Sequence, residues 1–213
     1  MKLIGMLDSP YVRRVAISLQ FLGLAFEHQS LSVFRGFDEF RRINPVVKAP
    51  TLICDDGTVL MDSTLMLEYA EARARPRSLM PTALDELTRE LRLIGLALAA
   101  CEKSVQIVYE RDLRPAEKQY ETWLTRVSGQ MLAGFSELEG ELERRPFALE
   151  DKAITQAAIT SAVAFNFARQ RTADILAQGH FPRLGAFSAA AEALSEFRAA
   201  PYGDGTYPVA AAV

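Results

Sequence analysis

Cysteine is scarce in this chain. Cys54 and Cys101 are the only two in 213 residues, and they lie too far apart for a metal knuckle or a CxxC redox pair. A disulfide-stapled scaffold is excluded on the same count. Histidine is equally rare: His28 and His180 have no partner at the spacing of a metal site or a nucleophile triad, and both read as structural residues. Neither sign of charge dominates, with 24 Lys and Arg against 27 Asp and Glu and a formal net charge of −3. Without a clustered basic face there is no electrostatic reason to expect a nucleic-acid partner. The pairs Arg13-Arg14, Arg41-Arg42 and Arg144-Arg145 read as isolated, solvated helix faces. No apolar run approaches the roughly 20 residues that cross a bilayer. The most apolar stretch, 153–168, is broken by Thr, Gln, Ser and Asn. The apolar part of residues 1–7 is too short for a signal peptide and lacks a small-residue cleavage site. A reduced, cytoplasmic protein with no membrane partner is the expectation.

What is present is an ordinary globular composition, 49% apolar and 24% charged. Its order along the chain divides it. Residues 3–6 suit a short buried strand, Ser9 stands at an N-cap position and Pro10 at the first helical position. Val12, Val15, Ala16, Leu19 and Leu22 follow at helical spacing, and Gly23 closes the helix. Residues 26–31 read as a second strand, so the start is a βαβ unit with parallel strands. Residues 37–43 make a turn or two of helix before Asn44-Pro45. Strands at 51–54 and 59–61 flank Asp55-Asp56-Gly57, an antiparallel hairpin signal. A third helix covers 63–73. This β-α-β-α-β-β-α order is that of a thioredoxin-like α/β domain, assigned to residues 1–74. Residues 75–82, bounded by Pro76 and Pro81, read as a linker. From 83 to 213 the chain reads as an all-α helical-bundle domain: a long helix at 84–109, a segment from Pro115 to 145 with Gly129, Gly134 and Gly140 as bend points, an apolar central helix at 155–171, and helix at 182–194. The tail from 202 to 213 reads as poorly ordered or loosely draped.

Residues 48–64 are the most informative. Pro50 stands directly before a short strand, removes a strand-edge donor and biases Ala49 to extended backbone. It is also a position where a cis bond would serve a turn. The Ala49 amide and carbonyl then face outward, beside a helix N-terminus bearing the Asp62 carboxylate and the Ser63 hydroxyl. That arrangement can read a peptide backbone.

Several motifs in register resemble the cytosolic glutathione S-transferase superfamily. Ser9-Pro10-Tyr11-Val12-Arg13-Arg14-Val15 is similar to the S-P-x-V-R-(R/K)-V segment of bacterial members, and Leu22-Gly23-Leu24-Ala25-Phe26-Glu27 to the L-G-L-x-(Y/F)-E that follows. Asn44-Pro45-Val46-Val47-Lys48-Ala49-Pro50-Thr51-Leu52 resembles N-P-x-x-K-V-P-x-L, and Asp62-Ser63 stands where the family has E-S or D-S. Phe181-Pro182-Arg183-Leu184 and Glu196-Phe197-Arg198-Ala199 resemble the last helices of the same proteins. One departure concerns the central helix. Thr155 fits the family's N-cap, but Ala158 stands where an Asp completes the capping box, a loss of about 1 kcal/mol of local stability.

The resemblance implies glutathione as co-substrate, no metal, a small electrophile as second substrate lying between the halves, and a homodimer. It implies Ser9 as the group that donates a hydrogen bond to the glutathione sulfur, with Tyr11 a second candidate donor. Asp8 is no rival, since an ionised carboxylate has no proton to give. Ser63 and Asp62 would hold the γ-glutamyl carboxylate and ammonium, Ala49 and Pro50 the cysteinyl backbone, and Lys48 the glycyl carboxylate. Each has a plainer reading beside it: Ser9, Asp62 and Ser63 as helix caps, Lys48 as a solvated surface lysine. Tyr109, Arg111, Tyr120 and Trp123 are possible second-substrate residues, although aromatics on such helices more often belong to a core. The activity implied is glutathione transfer. A peroxidase acting on organic hydroperoxides needs no more than the same thiolate. Disulfide or dehydroascorbate reductases of this fold carry cysteine where Ser9 stands. A different class, non-catalytic interaction proteins such as the stringent-starvation protein, is the alternative to an enzyme.

Overall fold

The computed structural model describes residues 1–150 and 153–207. They form two compact units, one of residues 1–79 with 193–207, the other Met80–Glu192.

In the first unit β1 (Lys2–Ile4), α1 (Pro10–Phe21), β2 (Glu27–Gln29), α2 (Phe37–Ile43), β3 (Thr51–Ile53), β4 (Val59–Met61) and α3 (Ser63–Ala74) follow one another. The sheet order is β2-β1-β3-β4, with β1 parallel to β2 and antiparallel to β3, and β4 antiparallel to β3. Leu3 lies opposite Leu52, which lies opposite Leu60, so one register puts leucine beside leucine across three strands. Helix α1 starts at a proline, whose fixed φ suits the first helical turn. It ends where Gly23 takes φ 69°, a conformation that costs glycine nothing. Val12, Val15, Ala16 and Leu19 are fully buried, as their spacing predicts. Arg13 and Arg14 are not on a solvated face: they are 1% and 2% exposed. Arg13 Nε donates to the Ala200 carbonyl at 2.7 Å, and its guanidinium lies over the Phe197 ring. It thereby ties α1 to the short helix α9 (Ser195–Ala199), which belongs to this unit. Arg41, Arg42, Arg144 and Arg145 are exposed.

The described part of the tail is also bound rather than loose. The Tyr207 ring stacks on Phe26, the Tyr207 amide donates to His28 Nδ1 at 2.7 Å, and Arg35 meets Asp204 at 3.2 Å. Residues 208–213, the rest of the predicted loose segment, lie outside the described residues. In the predicted linker, Leu79 is buried and its amide donates to Glu71 at 2.8 Å, which fastens this stretch to α3.

The second unit holds α4 (Leu84–Leu113), a single 3₁₀ turn at Ala116–Lys118, α5 (Glu121–Arg144), α6 (Gln156–Arg171), α7 (Ala173–Leu176) and α8 (Pro182–Glu192). α6 is buried on every side from Gln156 to Ala168, which is why its apolar residues show no one-sided stripe. α5 runs unbroken through Gly129, Gly134 and Gly140. Gly134 serves packing instead: a Cβ there would stand 3.0 Å from Ala100 Cβ and 3.3 Å from the Leu96 carbonyl of α4.

The start of α6 shows how the incomplete capping box is met. Thr155 Oγ1 accepts from the Ala158 amide at 3.4 Å, and the Ala157 amide donates to Glu90 Oε1 at 2.6 Å. A carboxylate from α4 thus serves orphan groups that a local Asp would otherwise meet. Burial pushes the Glu90 carboxyl above its ordinary range, against the opposing pull of the Ala157 amide and the Thr155 hydroxyl.

Candidate functional site

The loop from β1 to α1 is drawn tight by Gly5, at φ 137°. A Cβ there would fall 2.5 Å from Val12 Cγ2 and 3.2 Å from Ala49 Cβ, so only glycine lets this loop approach the segment before Pro50. Beyond it Ser9 precedes α1 with extended backbone, φ −73° and ψ 121°. Its carbonyl accepts from the Arg13 amide at 2.9 Å, as an N-cap should. Its hydroxyl makes no capping bond. The serine occupies the cap position while its side chain, half-buried at the positive end of a 12-residue helix, is left for other use. Tyr11 stands half-buried in the same first turn.

The segment between α2 and β3 is knitted by two polar side chains. Asn44 donates to Thr51 Oγ1 at 2.8 Å and accepts from the Val46 amide at 3.0 Å. Thr51 donates in turn to the Lys48 carbonyl at 2.7 Å. Within this frame the Ala49–Pro50 bond is cis. Among the described residues the Ala49 amide and carbonyl have no hydrogen-bond partner, the condition for pairing with an added strand.

Asp62 opens α3 with φ 73° and ψ 120°, backbone that a non-glycine residue adopts at a cost of about 1–3 kcal/mol. Its Oδ1 accepts from the Thr64 amide at 2.9 Å. Burial alone would raise its carboxyl; the Thr64 amide, the Lys48 charge and the Leu65 amide outweigh it, so Asp62 is held below the ordinary carboxylate range. Lys48 Nζ stands 3.5 Å from Asp62 Oδ2, with both side chains about half exposed. Ser63, the first helical residue, is buried and does not cap: its Oγ accepts from Arg14 Nη1 at 3.1 Å, and the same nitrogen donates to Thr64 Oγ1 at 3.3 Å.

Lys48, Ala49, Pro50, Asp62 and Ser63 therefore sit on two adjoining corners of one sheet, and Gly5 brings the Ser9 loop against Ala49. Arg14, which reaches Ser63, is a residue that the sequence pattern does not assign to the site. Its signal was present, a second arginine on the apolar helix that begins at Ser9, but local pattern alone reads it as surface.

His28 Nε2 lies 2.7 Å from the Gly5 carbonyl, and burial depresses its imidazole below the ordinary value. It is a buried structural histidine, while His180 is exposed. Both cysteines are buried. Among the described residues no group of three or more His, Cys, Asp or Glu could hold a metal ion, and no helix is long and apolar enough to cross a membrane. In the second unit Tyr109, Tyr120 and Trp123 stand exposed rather than in the core, and Arg111 is engaged in a two-point pair with Asp174 at 3.0 and 2.8 Å.

The first unit is a thioredoxin-like sheet with a cis-proline corner beside a carboxylate-capped helix, and the second unit is all-helical. Residues 3–78 fit the family model of the glutathione S-transferase N-terminal domain. An uncharacterised GST-like protein of Escherichia coli, YibF, is 29% identical over 79% of this chain and 84% of its own. A maleylacetoacetate isomerase of Pseudomonas aeruginosa is 27% identical over 66% of this chain and 70% of its own. A glutathione transferase family member from Pseudomonas fluorescens Pf-5, solved with bound glutathione, superposes with a TM-score of 0.79 at 28% identity, covering 93% of this chain and 97% of that one. The fold is that of the cytosolic glutathione S-transferases, and the matches support that superfamily for this chain.

Proposed function

We propose that this protein is a glutathione transferase in which Ser9 favours the thiolate of bound glutathione for attack on a small electrophile. The observation that carries the reading is the Ser9 hydroxyl, placed at the start of α1 yet uninvolved in capping it. A free cysteine thiol has a pKa near 8.5 and is only a few per cent ionised at neutral pH. One hydroxyl hydrogen bond to the sulfur anion contributes about 1.5–3 kcal/mol, equivalent to lowering that pKa by about one to two units. The N-terminus of α1 adds its partial positive charge.

The rest of the site supports an extended peptide. The Ala49 main chain offers one donor and one acceptor to the cysteinyl backbone. The Asp62 carboxylate, kept ionised, faces the ammonium of the γ-glutamyl end, and the Ser63 hydroxyl faces its carboxylate. Lys48 reaches the glycyl carboxylate by leaving Asp62. A half-exposed ion pair contributes about 0–1 kcal/mol, so little opposes that exchange.

The test is a titration of the purified protein with reduced glutathione, following heat and ultraviolet thiolate absorbance, for wild type and Ser9→Ala. Wild type is expected to bind and ionise the thiol, and the variant to bind while leaving it protonated. Equal ionisation by both would move the role to the helix N-terminus or Tyr11. Absence of binding would leave a non-catalytic interaction protein as the remaining reading.

The similarity to a maleylacetoacetate isomerase favours one second reading, glutathione-dependent isomerisation of an activated double bond. There the thiolate adds to carbon and is later expelled, so glutathione is recovered. Counting free thiol per turnover separates the two, because transfer consumes one thiol and isomerisation none.

A further inference from the structure

We propose that Arg14 is a positioning residue that turns the Ser63 and Thr64 hydroxyls into donors and so selects a carboxylate at the α3 end of the site. This rests on the reading of that end as the γ-glutamyl pocket. Arg14 lies on α1, five residues beyond Ser9, and its side chain is buried. Its Nη1 is shared between Ser63 Oγ at 3.1 Å and Thr64 Oγ1 at 3.3 Å, at the first two residues of α3.

The chemistry of the donor decides the polarity of these hydroxyls. A guanidinium has five N–H donors and no acceptor. A serine or threonine hydroxyl has one proton and two lone pairs, so while it accepts from Arg14 its own proton must point elsewhere. A ligand carboxylate is acceptor-only, and an ammonium is donor-only. With Arg14 in place, the hydroxyls can meet a carboxylate without rearrangement, whereas an ammonium in that position would have to compete for their remaining lone pairs. The Asp62 carboxylate beside them has the opposite preference. The two adjacent residues therefore distinguish the carboxylate of an α-amino acid from its amine, and Arg14 supplies half of that distinction without touching the ligand. The guanidinium also places a full positive charge behind a helix N-terminus, which strengthens its attraction for an anion.

The N-terminal half of α1 thus serves two parts of one peptide: Ser9 the sulfur, Arg14 the γ-glutamyl head. A merely structural arginine would join α1 to α3 and leave ligand discrimination unaltered, and this is what the experiment separates. Dissociation constants are measured by calorimetry for reduced glutathione and for γ-aminobutyryl-cysteinyl-glycine, which is glutathione without its α-carboxylate. The proteins are wild type, Arg14→Met, Arg14→Lys, Ser63→Ala and Arg14→Met/Ser63→Ala, each checked for folding by circular dichroism.

Wild type is expected to prefer glutathione by at least tenfold, the effect of about 1.4 kcal/mol. Arg14→Met should lose roughly tenfold in affinity for glutathione and little for the analogue. Arg14→Lys, which keeps a donor-only cation, should recover part of the preference. The double variant should discriminate no worse than Ser63→Ala and Arg14→Met combined would predict if independent, and better than that if they act through one contact. Any transferase rate should show a raised KM for glutathione with kcat at saturation unchanged.

If folded Arg14→Met keeps the wild-type preference, or weakens both ligands equally, the proposal is overturned while the reading of the site stands. If wild type itself binds the two ligands equally, the γ-glutamyl assignment fails and takes the proposal with it. Should Arg14→Met not fold, Arg14→Lys decides: its preference must fall between those of wild type and Ser63→Ala, and full retention overturns the role.

Discussion

His28 shows what a single buried side chain does for the site without entering it. A carbonyl can only accept, so the ring nitrogen 2.7 Å from the Gly5 oxygen carries the proton, and Nδ1 is left to accept from the Tyr207 amide. One neutral tautomer thereby joins β2, the loop that delivers Ser9, and the C-terminal segment. Protonation would turn an N–H on Nδ1 toward the N–H of Tyr207. Burial lowers the imidazole from its ordinary 6.5, with the Gly5 carbonyl opposing the shift. The unfolded chain then binds a proton that the folded chain refuses. Stability contributed by this group is complete above the ordinary value and declines as pH falls through it toward the folded one. Melting temperatures between pH 8 and 5 should drop on the acid side, and His28→Leu should be less stable throughout but lose this part of the slope. An unchanged slope in the variant would assign the acid sensitivity to other groups.

At the scale of elements, Glu90 is the counterpart: a carboxylate from α4 holds the start of α6, 67 residues further along the chain. Removing it in Glu90→Ala leaves a buried amide without its acceptor, at a cost of about 1–3 kcal/mol, to be read as a lowered denaturant midpoint. The charge itself is unfavourable where it sits. With the folded carboxyl raised by burial, the folded state holds its proton to higher pH, so this contribution to stability falls as pH rises from the ordinary carboxylate value through the folded one. Glu90→Gln keeps an acceptor for Ala157 and removes the titration. Its stability relative to wild type should therefore increase with pH over that window, and a constant difference would refute the assignment.

The same helix start marks the boundary of what local pattern can tell. Val59–Met61 and Phe37–Ile43 fall where turn residues and apolar spacing place them, and Ser9-Pro10 and Gly23 bracket α1 because their backbone preferences are local. Lys48 to Ser63 was legible for the same reason: a proline before a strand and an acid before a helix act on their own neighbours. The Glu90 cap, the burial of Arg13 and Arg14 and the docking of Asp204 and Tyr207 depend on partners dozens to more than a hundred residues away. Gly134, read as a bend, is a contact point whose reason is Ala100 on another helix. The four residues of α7 are too few to leave any periodic signal.

At the scale of the whole molecule, several large leucines stand exposed. Leu65 on α3 is 57% exposed, and Leu84 and Leu91, seven residues apart on one side of α4, are 78% and 54% exposed. A two-fold homodimer, expected from the resemblance to this superfamily, would cover such residues on both copies. Each substitution then counts twice, because an isologous interface presents every residue to itself or to its mate. Losing about 1.5–3 kcal/mol for one leucine becomes about 3–6 kcal/mol per dimer, roughly a 10²- to 10⁴-fold rise in dissociation constant. Light scattering at micromolar concentration should give twice the chain mass of 23.6 kDa for wild type and a shift toward the single-chain value for Leu65→Glu and Leu91→Glu, tested separately. Glutathione binding measured on the resulting monomer then states whether the site needs its partner: Ser9, Asp62 and Ser63 all lie in the first unit of one chain, so the affinity for glutathione should persist. A wild-type monomer would overturn the homodimer, and a dimer indifferent to both substitutions would move the interface away from these leucines.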